Sequence, residues 1–250
     1  MVTRSGGSML AAGSVVDDLV LVGVVNPTAA GATGTFAIYT SDGDDLTFDS
    51  GTAAAVTISD GTDFVWTGNG DGVAWADEDN WDIGYGYPSD NLDTATVNST
   101  ADVITTAGAI TVGQYTQGGT FSGSVTLGGA FTVDDAGGKT GDFTVSAGTF
   151  DTSGSNYTLN IDRDWTLTAG VFQARGSTIT VRRNVDFAYV AGLFMSGTST
   201  VVLAGSGALS VPHYDEGLRY LVQQNGVTTT IKGNVWVQSG SFTSGDATST

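Results

Sequence analysis

The chain has 250 residues with a net charge of −18 and a pI near 4.1, which excludes nucleic acid and anionic membrane surfaces as partners. It holds 37 Gly, 37 Thr, 22 Ser and 24 Asp against 2 Glu and 8 Lys plus Arg, so a helical bundle or doubly wound α/β fold is excluded. With hydrophobic residues at 40%, aromatics at 10%, no Cys and no apolar run of 18, the remaining class is an ordered all-β chain without disulfides, thiolate metal sites or a membrane-spanning helix.

Residues 1–62 read as an N-terminal β segment. Residues 1–12 are small and polar, a loose end, and residues 1–30 lack the basic, apolar and small-residue order of a signal peptide. Any export signal has therefore been removed, or the chain is a piece of something longer. Strand-like runs lie at Val15–Val25, Gly34–Thr40, Leu46–Asp49 and Ala53–Ser59, broken by Asn26-Pro27 and by Ser41-Asp42-Gly43. So few strands barely make an independent sandwich. The segment caps the larger C-terminal part of the chain, is the remainder of a longer domain, or completes its sheet with a neighbour's strand.

Residues 63–97 are distinct. Trp66, Trp75, Trp81, Tyr85 and Tyr87 stand close together in a stretch rich in Asp and Gly. That much aromatic area predicts a buried plug, here over the open N-terminal end of a solenoid.

From residue 98 onward the chain repeats itself. Asp142-Phe143-Thr144-Val145-Ser146-Ala147-Gly148-Thr149-Phe150 is followed by Asp164-Trp165-Thr166-Leu167-Thr168-Ala169-Gly170-Val171-Phe172, and then by a third copy ending at Phe194. A looser copy ends at Phe242, and weaker ones end at Phe121 and Phe131. Alternating strands at Ser155–Leu159, Ser177–Val181 and Ser199–Leu203 keep the same spacing of 22. A strand–corner–strand pattern recurring in register is a coil that stacks on itself, a right-handed parallel β-helix. Phe150, Phe172 and Phe194 should then form an internal ladder, as should Tyr157, Ile179 and Val201, and Leu159, Val181 and Leu203. A β-sandwich does not require such recurrence, and a propeller blade needs nearly twice the period.

The pattern Trp66-x-Gly68, Trp75-x(5)-Trp81 with Asn80 before the second Trp, Pro88, then Asp93-x-Ala95-x-Val97 resembles the opening segment of bacterial secreted β-helix proteins. These include autotransporter-like passengers and large surface adhesins. The likeness covers residues 63–250 and carries no catalytic signature. It implies an extracellular right-handed β-helix with a structural or adhesive role. The chain departs from a full passenger in having no outer-membrane barrel, and it ends without an evident cap.

Calcium is the best candidate ligand, because Asp71, Asp77, Asp79, Asp82, Asp90 and Asp93 crowd one loop region, and Asp42, Asp44 and Asp45 form a second cluster. Neither has the spacing of an EF-hand, and the competing reading is Asx-turns on a soluble surface. Asp162 and Asp164 could serve glycoside hydrolysis. However, Arg163, Arg182 and Arg183 stand beside them, which favours a solvated ion-pair ladder. His213, the one His, falls in an inserted turn.

The expected function is a self-associating structural subunit of an extracellular assembly, a homopolymer built by β-edge complementation and without a catalytic site. Strands of residues 15–60 would meet a neighbour, or the final coil around Val235, Val237 and Phe242 would dock on the Trp66/Trp75/Trp81 end. The alternatives are a glycan- or receptor-binding adhesin or phage fibre, and a polysaccharide-degrading enzyme.

Overall fold

The computed structural model describes residues 31–32, 36–41, 47–53, 57–58, 61–136, 138–188, 193–211 and 217–245. The chain divides into two compact units, residues 1–58 and 59–250. In the first, β1 (Gly31–Ala32) pairs antiparallel with β4 (Thr57–Ile58), and β2 (Phe36–Ser41) pairs antiparallel with β3 (Thr47–Ala53). The predicted runs Leu46–Asp49 and Ala53–Ser59 are thus divided differently, with one strand running through to Ala53. Val15–Val25 lies outside the described residues.

The second unit is a parallel β-solenoid wound on three sheets. Sheet I stacks β5 (Asp63–Val65), β6 (Thr94–Val97), β9 (Gln114–Gln117), β12 (Phe143–Val145), β15 (Trp165–Leu167), β18 (Val185–Phe187), β21 (Gly207–Val211) and β23 (Thr229–Val235). Sheet II stacks β7 (Val103–Thr105), β10 (Ser124–Thr126), β13 (Thr149–Asp151), β16 (Val171–Gln173) and β19 (Phe194–Met195). Sheet III stacks β8 (Ile110–Val112), β11 (Phe131–Val133), β14 (Leu159–Ile161), β17 (Thr178–Val181), β20 (Thr200–Leu203), β22 (Leu218–Gln223) and β24 (Val237–Ser244). The described residues contain no α-helix, and no helix long and apolar enough to cross a membrane.

Period-2 alternation explains the core. Strands such as Phe143-Thr144-Val145 turn the apolar residues inward and leave the threonine half-buried outside. Parallel pairing then lays like on like, so Phe150 pairs with Phe172 and Phe172 with Phe194, as the period of 22 predicts. The rings of Phe150 and Phe172 stack with centroids 5.4 Å apart and planes at 13°, and all three residues are buried.

The other two predicted ladders are corrected by two residues. Leu159, not Tyr157, pairs with Ile179 and through it with Val201, while Ile161 leads to Val181 and Leu203. The predicted strand at Ser155–Leu159 becomes a corner, because Ser153 and Asn156 adopt left-handed φ of 66° and 59° and turn the chain before Leu159. A slip of two preserves which face each residue takes, so the apolar pattern alone does not detect it.

Sheet I shows the same effect, where Trp165 pairs with Val185 and Leu167 with Phe187. In the earlier coils, Val125 and Ile104 hold the Phe150 position. Phe131 belongs to sheet III, and Phe121 to no strand. Phe242 is also in sheet III, paired with Leu221, and does not extend the ladder of Phe194.

Corners close tightly. At Gly128 an added Cβ would run into the Thr106 carbonyl of the preceding coil, so only glycine lets the coils meet there.

Candidate functional site

The two ends of the solenoid are built differently. At the N-terminal end, residues 66–82 fold over the first strands. Trp66 bridges to Trp81, the Asp82 N–H donates to the Val65 carbonyl at 2.9 Å, and Asp82 Oδ1 accepts the Val65 N–H at 2.9 Å, closing the edge of β5. Ala74 bridges to Thr105, with Thr105 N–H donating to the Val73 carbonyl at 2.8 Å and Trp75 N–H to the Thr105 carbonyl at 3.0 Å, closing the edge of β7. These irregular segments satisfy backbone groups that would otherwise recruit another strand.

Trp66, Trp75 and Trp81 lie inside this cover, at most 2% exposed, with Trp81 edge-on to both of the others. Each indole N–H is satisfied: Trp66 by Asp102 Oδ2, Trp75 by the Pro88 carbonyl and Trp81 by the Trp75 carbonyl. The three indoles are interior and present no surface to a neighbour.

Five of the six loop aspartates accept backbone N–H groups through their carboxylates. Asp71 Oδ1 accepts the N–H groups of Val73 and Ala74, each at 2.8 Å, and the Asn80 side-chain amide at 2.8 Å. These bonds, that of Ala74 foremost, hold the Asp71 carboxyl below its ordinary value. Asp77 caps the short 3₁₀ turn Glu78–Asn80 through the Asp79 N–H, and also accepts from the Asp71 N–H. Asp90 accepts from Leu92 N–H, and Asp93 from Thr62, Ser89 and Asp90 N–H. Asp79 contributes its backbone N–H to this network.

The three carboxylates that do converge among the described residues are Asp134, Asp135 and Asp162, with ligand atoms within 4.8 Å of one another. Arginines already meet them, Arg163 approaching Asp135 at 3.9 Å and Arg182 pairing with Asp162. Asp42, Asp44, Asp45 and His213 lie outside the described residues.

Three arginines follow one rule along the solenoid. Arg175 meets Asp151 at 2.7 Å, Arg182 meets Asp162, and Arg183 meets Asp164 at 3.1 Å, each on the preceding coil. The Asp151 contact raises the Arg175 guanidinium above its ordinary value. The two acids considered for glycoside hydrolysis are therefore counter-ions of arginines. Lys139 reaches back to Asp63 at 2.8 Å, and this bond holds the Asp63 carboxyl below its ordinary value.

The C-terminal end is open. Ile231 pairs with buried Leu209 and Phe242 with buried Leu221, so both stand in the inward-facing ladders. Yet Ile231 is 52% and Phe242 55% exposed, because no coil covers them among the described residues. Beneath them lies a cavity of about 320 Å³ lined by Leu203, Leu209, Leu221, Val235, Val237 and these two side chains. Val235 and Val237 pack half-buried against the core, and Trp236 between them is 47% exposed.

Sequence reasoning singled out the final coil from Val235 to Phe242 but missed Ile231. The spacing of 22 between Leu209 and Ile231 was the available signal. Other large exposed apolar side chains, such as Tyr85 on the cap and Val103 and Met195 on sheet II, stand apart from one another in the sequence.

No protein-family model matches this chain, and comparison with curated proteins and with solved structures gives no match.

Proposed function

We propose that this chain is a structural subunit of an extracellular assembly, self-associating into a filament or surface layer through strand complementation at one end of its solenoid. The supporting observation is the pair Ile231 and Phe242, two side chains in core register that remain half in water. Large apolar surface in that register is costly unless another layer covers it. Among the described residues β23 and β24 are the outermost strands of their sheets, and a layer that both covers these side chains and continues the sheets is a β-strand. At the opposite end residues 66–82 close the edges of β5 and β7. The extracellular setting rests on the acidic, cysteine-free composition and on the likeness to secreted bacterial β-helix proteins.

The test uses the intact chain in size-exclusion chromatography with light scattering and in negative-stain microscopy over a range of concentrations. The wild type should form higher species, and Ile231→Asp with Phe242→Asp should return it to a folded monomer. A wild type that stays monomeric at every concentration would overturn the proposal.

A further inference from the structure

We infer that the strand covering the open end comes from the β2–β3 hairpin of a second copy of this chain. The inference rests on the self-association reading and names its partner surface.

Four observations converge on this occupant. β2 and β3 form a sheet of only two strands among the described residues. A lone two-stranded ribbon is marginal in water and has two open edges, so it gains by joining a larger sheet.

Strand length fits as well. β2 and β3 have six and seven residues, matching the seven and eight of β23 and β24, whereas β5 to β20 have two to four. A longer edge strand accepts a longer partner without leaving backbone groups unpaired.

Charge agrees. Residues 1–58 carry Asp17, Asp18, Asp42, Asp44, Asp45 and Asp49 against Arg4 alone. Strands β22 to β24 carry Arg219 and Lys232 and no carboxylate, with Asp215, Glu216 and Asp246 flanking them in the sequence, and Lys232 is exposed on the edge strand β23. In a chain of net charge −18, the exposed Lys232 on an edge strand is a cation that an acidic segment can meet.

At the N-terminal end of the solenoid, residues 66–82 close the edges of β5 and β7, and the remaining edge strand, β8, offers three residues against the seven and eight of β23 and β24. Hairpin on one copy and open edge on the next are different surfaces, so the contact is heterologous. Repeated from copy to copy, it gives an open-ended polymer rather than a closed dimer.

The absence of native cysteine makes the test direct. Single variants Thr40→Cys and Ser50→Cys on the hairpin are each mixed with Thr230→Cys or Thr243→Cys on the terminal strands, one partner ¹⁵N-labelled in every mixture. Four pairings guard against one substitution disturbing the fold. After mild oxidation, mass spectrometry should find disulfides joining a labelled hairpin peptide to an unlabelled terminal-strand peptide. Assembly that persists with crosslinks only between terminal strands, or with none to the hairpin, overturns the inference and leaves the broader reading standing. Loss of all assembly in the wild type overturns both.

Discussion

Asp164 Oδ1 accepts the side-chain amide of Asn184 at 2.8 Å and its backbone N–H at 3.2 Å, from a residue one coil further along the solenoid. The same bond is made on either side: Asp142 Oδ1 accepts the Asp164 N–H at 3.2 Å, and Asn184 Oδ1 accepts the Ala208 N–H at 2.8 Å. Three successive carboxylate or amide side chains therefore clip four coils together at one corner. Asp164→Ala should lower stability by about 1–2 kcal/mol in denaturant unfolding, because it leaves the Asn184 donors short of a partner. Asp164→Asn, which keeps the acceptor and loses only a partly exposed pairing with Arg183, should cost less. Equal losses would mean that charge, not the ladder, matters there.

The stacked phenyl rings form the interior counterpart of that corner. Phe172 lies between Phe150 and Phe194 and is fully buried. Truncation to Ala should cost about 3–5 kcal/mol, while Phe172→Leu should cost about 1.5 kcal/mol or less, as read from urea midpoints. A mild effect from the Ala variant would contradict the stacked arrangement.

Asn80 is the centre of the N-terminal cover. It is fully buried, accepts the Gly72 N–H at 2.9 Å, and donates to Asp71 at 2.8 Å and to the Ala74 carbonyl at 3.0 Å. Asn80→Ala should lose about 2–3 kcal/mol of cover stability by stranding the Gly72 N–H and the Ala74 carbonyl. Hydrogen exchange should show faster protection loss at residues 66–82 than at Phe143–Leu167. Uniform loss along the chain would argue against a cover that opens separately.

Acid should loosen the same region. The carboxyls of Asp63 and Asp71 both lie below the ordinary value of 3.8 in the folded chain. A depressed folded value means that these groups add stability above pH 3.8, lost as the pH falls through their lower folded values. Stability should therefore decline below about pH 4, with Asp63→Asn together with Asp71→Asn flattening that part of the profile. An unchanged slope in the double variant would refute the assignment.

Calcium should have little effect on the folded chain. Carboxylate oxygens of Asp71, Asp77, Asp82, Asp90 and Asp93 already accept backbone N–H groups. Melting curves with millimolar calcium and with chelator should coincide. A clear rise with calcium would show that a site assembles from these carboxylates.

Coil winding, the all-β class and the Phe150–Phe172–Phe194 ladder were legible in the linear order, because period-2 alternation and a recurring interval of 22 are local properties of the chain. The tryptophan plug was legible too, since so much indole area in one stretch has nowhere to go but inward. Strand partners next to an uneven corner were not, as Tyr157 and Leu159 illustrate. Two residues absorbed by the corner at Ser153 and Asn156 leave every side chain on its expected face, so pattern cannot distinguish one pairing from the next. The counter-ion roles of Asp162 and Asp164, and the contrast between the covered edges of β5 and β7 and the open ones of β23 and β24, arise only when distant coils stack. Whether Ile231 and Phe242 count as core or surface depends on what lies above them in space, which neighbours along the backbone do not specify.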